Sequence, residues 1–200
     1  MSEPRIGRVL VASLHQAIAD LLPTRLEFYE NWLNMSGLRE GTIGLAPLSA
    51  VLSFLRSEGD AYDLITARAG EYAADWTVNN LPPLERRLIR SLPPALRLRA
   101  AMRTARSLVR ETYPGSRAIV RVKGASAAVD LRGSLFCEVR QAPMLPLCGF
   151  YASAFARVLQ LLALRASARV NECRAGGRGK GCRLSVVVVS GASADEPAAA

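Results

Sequence analysis

The hydrophobic period of this chain changes at Tyr113-Pro114-Gly115, and that change constrains its fold more than any other feature. Upstream, apolar residues recur roughly every three to four positions, as on one face of an α-helix. Downstream they alternate with polar ones, as on a half-buried strand.

In the helical half, Ile6, Leu10, Leu14, Ile18 and Leu21 lie at helical spacing and Pro23 marks a stop. Thr24 caps a second helix that runs through Phe28, Trp32 and Met35 to an exit at Gly37. The stretch 45–57 places Leu48, Val51, Leu52 and Leu55 on one face, and Gly59-Asp60 then opens a longer helix bearing Leu64, Ala67, Tyr72 and Trp76. Asn79-Asn80-Leu81-Pro82-Pro83 breaks the chain, and a short basic stretch over 84–92 ends at Pro93-Pro94. The next helix carries an apolar stripe of Leu98, Met102, Ala105 and Val109 beside a basic stripe of Arg99, Arg103, Arg106 and Arg110.

Beyond Gly115, Ala118, Val120 and Val122 alternate with Ile119, Arg121 and Lys123, and a second strand follows over 127–131. The residues 134–139 predict another short strand, 141–146 a proline-bearing loop, and 149–166 a helix burying Phe150, Ala154, Val158, Leu161 and Leu162. The segments 168–173 and 183–189 flank a glycine-rich turn and predict an antiparallel hairpin, and 190–200 a disordered tail. Helices followed by strands, a helix and more strands give an α+β fold. In it a helical half (1–115) and a sheet–helix–hairpin unit (116–189) make one compact domain on an antiparallel sheet.

Half of the 200 residues are apolar, which argues against disorder. No apolar run approaches the roughly 18 residues that span a bilayer. The first apolar segment is interrupted by His15, Gln16 and Asp20, so it reads as a helix rather than a signal peptide, and a cytoplasmic location is expected. The net charge of +9 comes almost wholly from arginine, Lys123 and Lys180 being the only lysines. That bias fits GC-rich coding more readily than an anionic partner, and the basic stripe reads first as a solvated helix face and second as a weak anion site. No aromatic residues interleave with it, so nucleic acid is not the expected partner.

Familiar catalytic templates are missing. His15 is the only histidine, and Gly-x-Ser-x-Gly is absent. The segment 176–181 fails as a phosphate loop, with Arg174 where a glycine and Gly181 where a Ser or Thr would stand. No dinucleotide fingerprint follows a strand, so a nicotinamide or flavin reductase has no visible cofactor site, and the reading leans away from an enzyme. The four cysteines carry more information: Cys137 and Cys148 flank the proline-bearing loop, and Cys173 and Cys182 stand at the base of the hairpin turn. Thiolates converging from a loop and a hairpin suit tetrahedral zinc, although spacing without Cys-x2-Cys pairs leaves buried inert thiols equally open.

Leu147-Cys148-Gly149-Phe150-Tyr151 with its following helix, then Glu172-Cys173-Arg174-Ala175-Gly176 and Gly181-Cys182-Arg183-Leu184, resemble the 4-vinyl reductase domain. The resemblance covers 134–189 best and extends more loosely to Ile6-Gly7-Arg8-Val9-Leu10 and the helices after it. It implies an α+β fold shared with TRAPP vesicle-tethering subunits, often a homodimer through the helical half, that binds a small hydrophobic molecule between helices and sheet. Met144, Leu147, Phe150, Tyr151 and Phe155 are the candidate wall of that site. A tetrapyrrole-like ligand fits the family's link to bacteriochlorophyll synthesis, and its propionates would give Arg99, Arg103, Arg106 and Arg110 a purpose. An accessory protein or enzyme subunit of tetrapyrrole biosynthesis, and a regulatory or assembly module that docks a partner or nucleic acid, are the alternative roles.

Sensor members of the family hold a structural zinc with three cysteines and a glutamate, and Cys148, Cys173 and Cys182 match those cysteines. Here eight residues separate Cys173 from Cys182, where the family usually has seven, and Val170 stands at the glutamate position. Glu172 neighbours Cys173 on a strand and so faces the opposite way. Cys137 is the remaining candidate for the fourth ligand.

Overall fold

The chain's structure is a computed structural model, and it describes residues 6–33, 44–138, 146–177 and 181–189. The chain enters at Gly7, whose N–H donates to the Thr112 carbonyl over 2.9 Å. A Cβ there would overlap the Glu111 carbonyl, so only glycine lets the start of the chain lie on the end of a later helix. Helix α1 (Arg8–Leu21) buries Leu10, Val11, Leu14, Ala17 and Ile18. Pro23 does stop it, and a 3-10 turn over Pro23–Arg25 leads into α2 (Leu26–Leu33). The expected exit of this helix at Met35–Gly37 lies outside the described residues.

Helix α3 (Leu45–Ser57) buries the expected Leu48, Val51, Leu52 and Leu55. Helix α4 (Ala61–Asn79) turns a different face inward from the one bearing its large side chains. Ile65, Thr66, Ala69, Gly70, Ala73 and Ala74 are buried, while Leu64 is 63% exposed. The small face admits a second helix at close range: at Gly70 a Cβ would collide with the Phe150 carbonyl of α7 (Gly149–Leu161). Pro83 and Pro94 each open a helix, α5 (Pro83–Ser91) and α6 (Pro94–Thr112), where the missing N–H costs nothing. The apolar stripe of α6 is buried, and Arg99, Arg103, Arg106 and Arg110 all point to solvent.

Four strands form one antiparallel sheet in the order β1-β2-β4-β3. They are β1 (Arg117–Lys123), β2 (Ser126–Arg132), β3 (Ala166–Glu172) and β4 (Cys182–Val188). Ala127, Val129 and Leu131 of β2 and Cys182, Leu184 and Val186 of β4 are buried on one face, as strand alternation requires. Helices α6 and α7 pack on that face, and the buried residues of both halves form one continuous core. Among the described residues, no helix is long and apolar enough to cross a membrane.

Two elements differ from the sequence reading. Of the strand expected over 134–139, the described residues 134–138 contain a 3-10 turn instead, Leu135–Cys137. Leu135, Phe136 and Cys137 are all buried, a run that no two-faced strand could hold inside. Gly133, at a φ of +66°, ends β2 just before it. The helix expected to reach 166 stops at Leu161, because Ala163 takes a left-handed conformation (φ +61°) that reverses the chain into β3. The Leu164 N–H then closes back on the Leu159 carbonyl at 2.9 Å.

Candidate metal centre

Three pieces of chain bring the cysteines together. The 3-10 turn after β2 presents Cys137, the residue before α7 is Cys148, and Cys173 and Cys182 close the β3–β4 connection. Cys182 lies opposite Leu131 in the β2–β4 ladder, which carries it to the end of β2 from which the Cys137 turn departs. After Cys173 the chain makes a 3-10 turn, with the Gly176 N–H on the Cys173 carbonyl at 3.0 Å and Gly177 left-handed at a φ of +78°. This turn aims the Arg174 N–H at the Cys182 sulfur, 3.3 Å away.

The four Sγ atoms all lie within 4.8 Å of one another. Cys137 is 2.9 Å from Cys148, 3.4 Å from Cys173 and 3.3 Å from Cys182, and Cys148 is 3.1 Å from Cys182. A disulfide would bring two sulfurs to about 2.0 Å, so these are four free thiols. Around zinc at about 2.3 Å, a tetrahedron of sulfurs has edges near 3.8 Å, so these four contacts must lengthen by about 0.4–0.9 Å to hold one. Cys137, Cys148 and Cys182 are buried and Cys173 is partly exposed, which leaves one open side.

Protonation is uneven across the cluster. Hydrogen bonds from Cys137 and Cys148 pull the Cys173 and Cys182 thiols well down, with help from the backbone N–H groups of Leu147 and Arg174 respectively. Cys148 is driven up by its contacts with Cys137, Cys173 and Cys182 and by burial. In Cys137 the bond with Cys148 works downward, but the contacts with Cys173 and Cys182, together with burial, prevail and raise it. Binding of a divalent cation requires thiolates, and the shifts at Cys173 and Cys182 lie in that direction. A soft, all-sulfur donor set of this compactness selects zinc or iron over magnesium or calcium.

Glu172 takes no part: its carboxylate faces outward and pairs with Arg183 at 3.1 Å. His15 belongs to the α1–α2 contact, where its Nε2 meets Glu30 at 2.7 Å. Leu147, Phe150, Tyr151 and Phe155 are all buried. Phe136 stacks on Phe150 at 5.0 Å, and Tyr151 meets both rings edge-on. Tyr62 donates from its hydroxyl to the Leu147 carbonyl at 3.1 Å and ties α4 to the segment that carries Cys148. Met144 lies outside the described residues.

Two surface grooves complete the picture. One, of about 400 Å³, includes Arg103 and Arg110 together with Glu85 and Glu111. The other, of about 740 Å³, gathers Arg106 and Arg110 of α6 with Arg117 and Arg132 of the first hairpin. Arg99 reaches neither. Sequence periodicity did not single out Arg117 and Arg132, although their places at the two ends of one short hairpin are visible in it.

No protein-family model and no curated protein matches the chain. Solved structures do. The phenol-responsive sensory domain of the transcription activator PoxR, determined with phenol, superposes with a TM-score of 0.53 at 15% identity, over 73% of this chain and 75% of that one. An Fe(II) unliganded H-NOX protein from K. algicida gives 0.57 at 12% identity, over 93% and 98%. A trafficking protein particle complex subunit 3 from Naegleria fowleri, covalently bound to palmitic acid, gives 0.50 at 11% identity, over 90% and 96%. The chain therefore has the α+β fold common to these sensory and TRAPP-type proteins.

Proposed function

We propose that this chain is a non-catalytic small-molecule-binding protein of the 4-vinyl reductase type, in which Cys137, Cys148, Cys173 and Cys182 hold a structural zinc. The observation that carries the proposal is the convergence of four thiols from three separate segments within 4.8 Å. Zinc there would tie the hairpin to the start of α7 and to the end of β2. It would serve as a closed structural site rather than a catalytic one, since four protein sulfurs leave no position for substrate.

The ligand part of the proposal is a hydrophobic or tetrapyrrole-like molecule held beside that clamp. Three proteins of this fold support it, in that one is a phenol-responsive domain, one an Fe(II) H-NOX protein and one carries palmitic acid. Met144, Leu147, Phe150, Tyr151 and Phe155 are the proposed wall. The Phe136, Phe150 and Tyr151 rings are in mutual contact, so a ligand among them must part the cluster. A homodimer through the helical half belongs to the same proposal, with Leu84, Leu88 and Leu96 as exposed apolar residues for it to cover.

Equilibrium binding of phenol, palmitate and protoporphyrin to the zinc-loaded chain tests the ligand reading, with tyrosine fluorescence and thermal stability as readouts. At least one probe is expected to saturate and to lose about tenfold or more in affinity in Phe150→Ala, given the contact area lost. Failure of all three to bind would remove the small-molecule reading while leaving the zinc clamp standing.

A further inference from the structure

We propose that the groove between α6 and the first hairpin is a binding site for a small phosphate-bearing molecule, held by Arg106, Arg110, Arg117 and Arg132. The site shares no residue with the thiol cluster and does not depend on the function proposed for it.

The argument begins with charges that the fold alone does not explain. Arg106 and Arg110 are one turn apart on α6, a spacing at which like charges repel. Arg117 and Arg132 are directly opposite in the β1–β2 ladder, where like charges also oppose pairing. The structure turns both repulsive pairs into one groove of about 740 Å³. Among the described residues, Arg106, Arg110 and Arg117 have no acidic partner, and Arg132 has only an exposed contact with Asp130 at 3.2 Å. No acidic residue lines this groove. The 400 Å³ groove beside it is of mixed charge, lined by Glu85 and Glu111 as well as Arg103 and Arg110, as an ordinary solvated surface is.

The groove is also built on a fixed floor. Ser116, buried below it, donates its hydroxyl to the Gly133 carbonyl at 2.7 Å, and its N–H closes a turn onto the Tyr113 carbonyl at 2.9 Å. Gly133 is left-handed and so close to the Gly115 carbonyl that a Cβ would collide with it. Arg117 follows Ser116 and Arg132 precedes Gly133, so the clamp sets where both side chains start. Guanidinium forks from a helix and from two strands can then reach one polyanion from several sides, a geometry that suits phosphate oxygens.

Size and lining choose the class of ligand. The volume is that of a small-molecule site. Pro114, Ala118 and Ile119 supply the apolar remainder, and no aromatic ring is present on which a nucleic-acid base could stack.

Calorimetric titration of the full chain with sodium pyrophosphate at low ionic strength tests the site. The wild-type chain is expected to bind it, the Arg106→Gln/Arg117→Gln variant to bind at least about tenfold more weakly, and Arg99→Gln to match the wild type. All these side chains are exposed, and matching circular dichroism and melting curves will show that the variants remain folded. Absence of pyrophosphate binding to the wild-type chain would overturn the proposal, as would an equal loss in Arg99→Gln, which would mean diffuse charge. Tight binding of a mixed-sequence single-stranded DNA that pyrophosphate cannot displace would overturn it in favour of a nucleic-acid surface.

Discussion

Glu172 and Cys137 are the two residues between which the fourth corner of the proposed metal site is decided. On β3, Glu172 alternates away from the thiols and meets Arg183. Cys137 sits 2.9 Å from Cys148 on a turn that strand alternation does not constrain. Cys137→Ser is therefore expected to abolish stoichiometric zinc, whereas Glu172→Gln should leave zinc content unchanged and shift stability by less than about 0.5 kcal/mol, as exposed ion pairs do. Metal analysis of the two purified variants side by side checks both. A second residue-scale expectation concerns Ala163, which holds a left-handed backbone at a φ of +61° with a side chain that disfavours it. Ala163→Gly should stabilise the chain by up to about 1 kcal/mol in urea denaturation, the relief of that strain being partly offset by the freer unfolded chain.

At the scale of elements, the closest fit is between α4 and α7. The buried side of α4 carries the small residues Ala69, Gly70, Ala73 and Ala74, and Gly70 lies against the Phe150 carbonyl of α7. Gly70→Ala should separate the two helices at a cost of about 2–3 kcal/mol, against the small gain that alanine gives in an isolated helix. Phe136 bridges the cysteine turn and α7 through its contacts with Phe150 and Tyr151, so Phe136→Ala should cost about 3–5 kcal/mol. Denaturant midpoints measure both. Because Cys148 immediately precedes α7, loosening this helix pair should also weaken retention of the proposed zinc, whereas Ala163→Gly, beyond the opposite end of α7, should not.

Over the whole molecule, two tyrosines give the fold a limit at alkaline pH. Burial is the main cause that pushes both Tyr29 and Tyr151 up to about 12 from an ordinary 10.0, and Tyr29 also donates to Glu58 at 3.1 Å. A phenol whose folded value is raised stabilises the fold in full below its unfolded value, and that contribution is lost as pH climbs through the folded one. Melting temperature should accordingly fall between pH 10 and about 12, and Tyr29→Phe should flatten part of that fall.

The sequence made the α+β division legible because the period changes at Gly115, and the faces of α3 and α6 because their stripes combine large apolar with polar residues. The inner face of α4 was hidden, since close packing there rewards small side chains over the larger Leu64, Tyr72 and Trp76. The convergence of Cys173 and Cys182 could be seen from the hairpin that joins them. The geometry of Cys137 could not, because the short apolar run Leu135-Phe136-Cys137 does not show in sequence that all three side chains are buried. The arginine groove was least visible, as it joins helix and hairpin positions that only tertiary structure sets side by side.

The zinc clamp is the claim on which the functional reading rests, and X-ray absorption at the zinc edge on the purified chain tests it most directly. The expected result is about one zinc per chain with four sulfur neighbours near 2.3 Å. A chain that retains no metal after expression in zinc-replete medium, or a zinc bound through nitrogen and oxygen ligands, would contradict it.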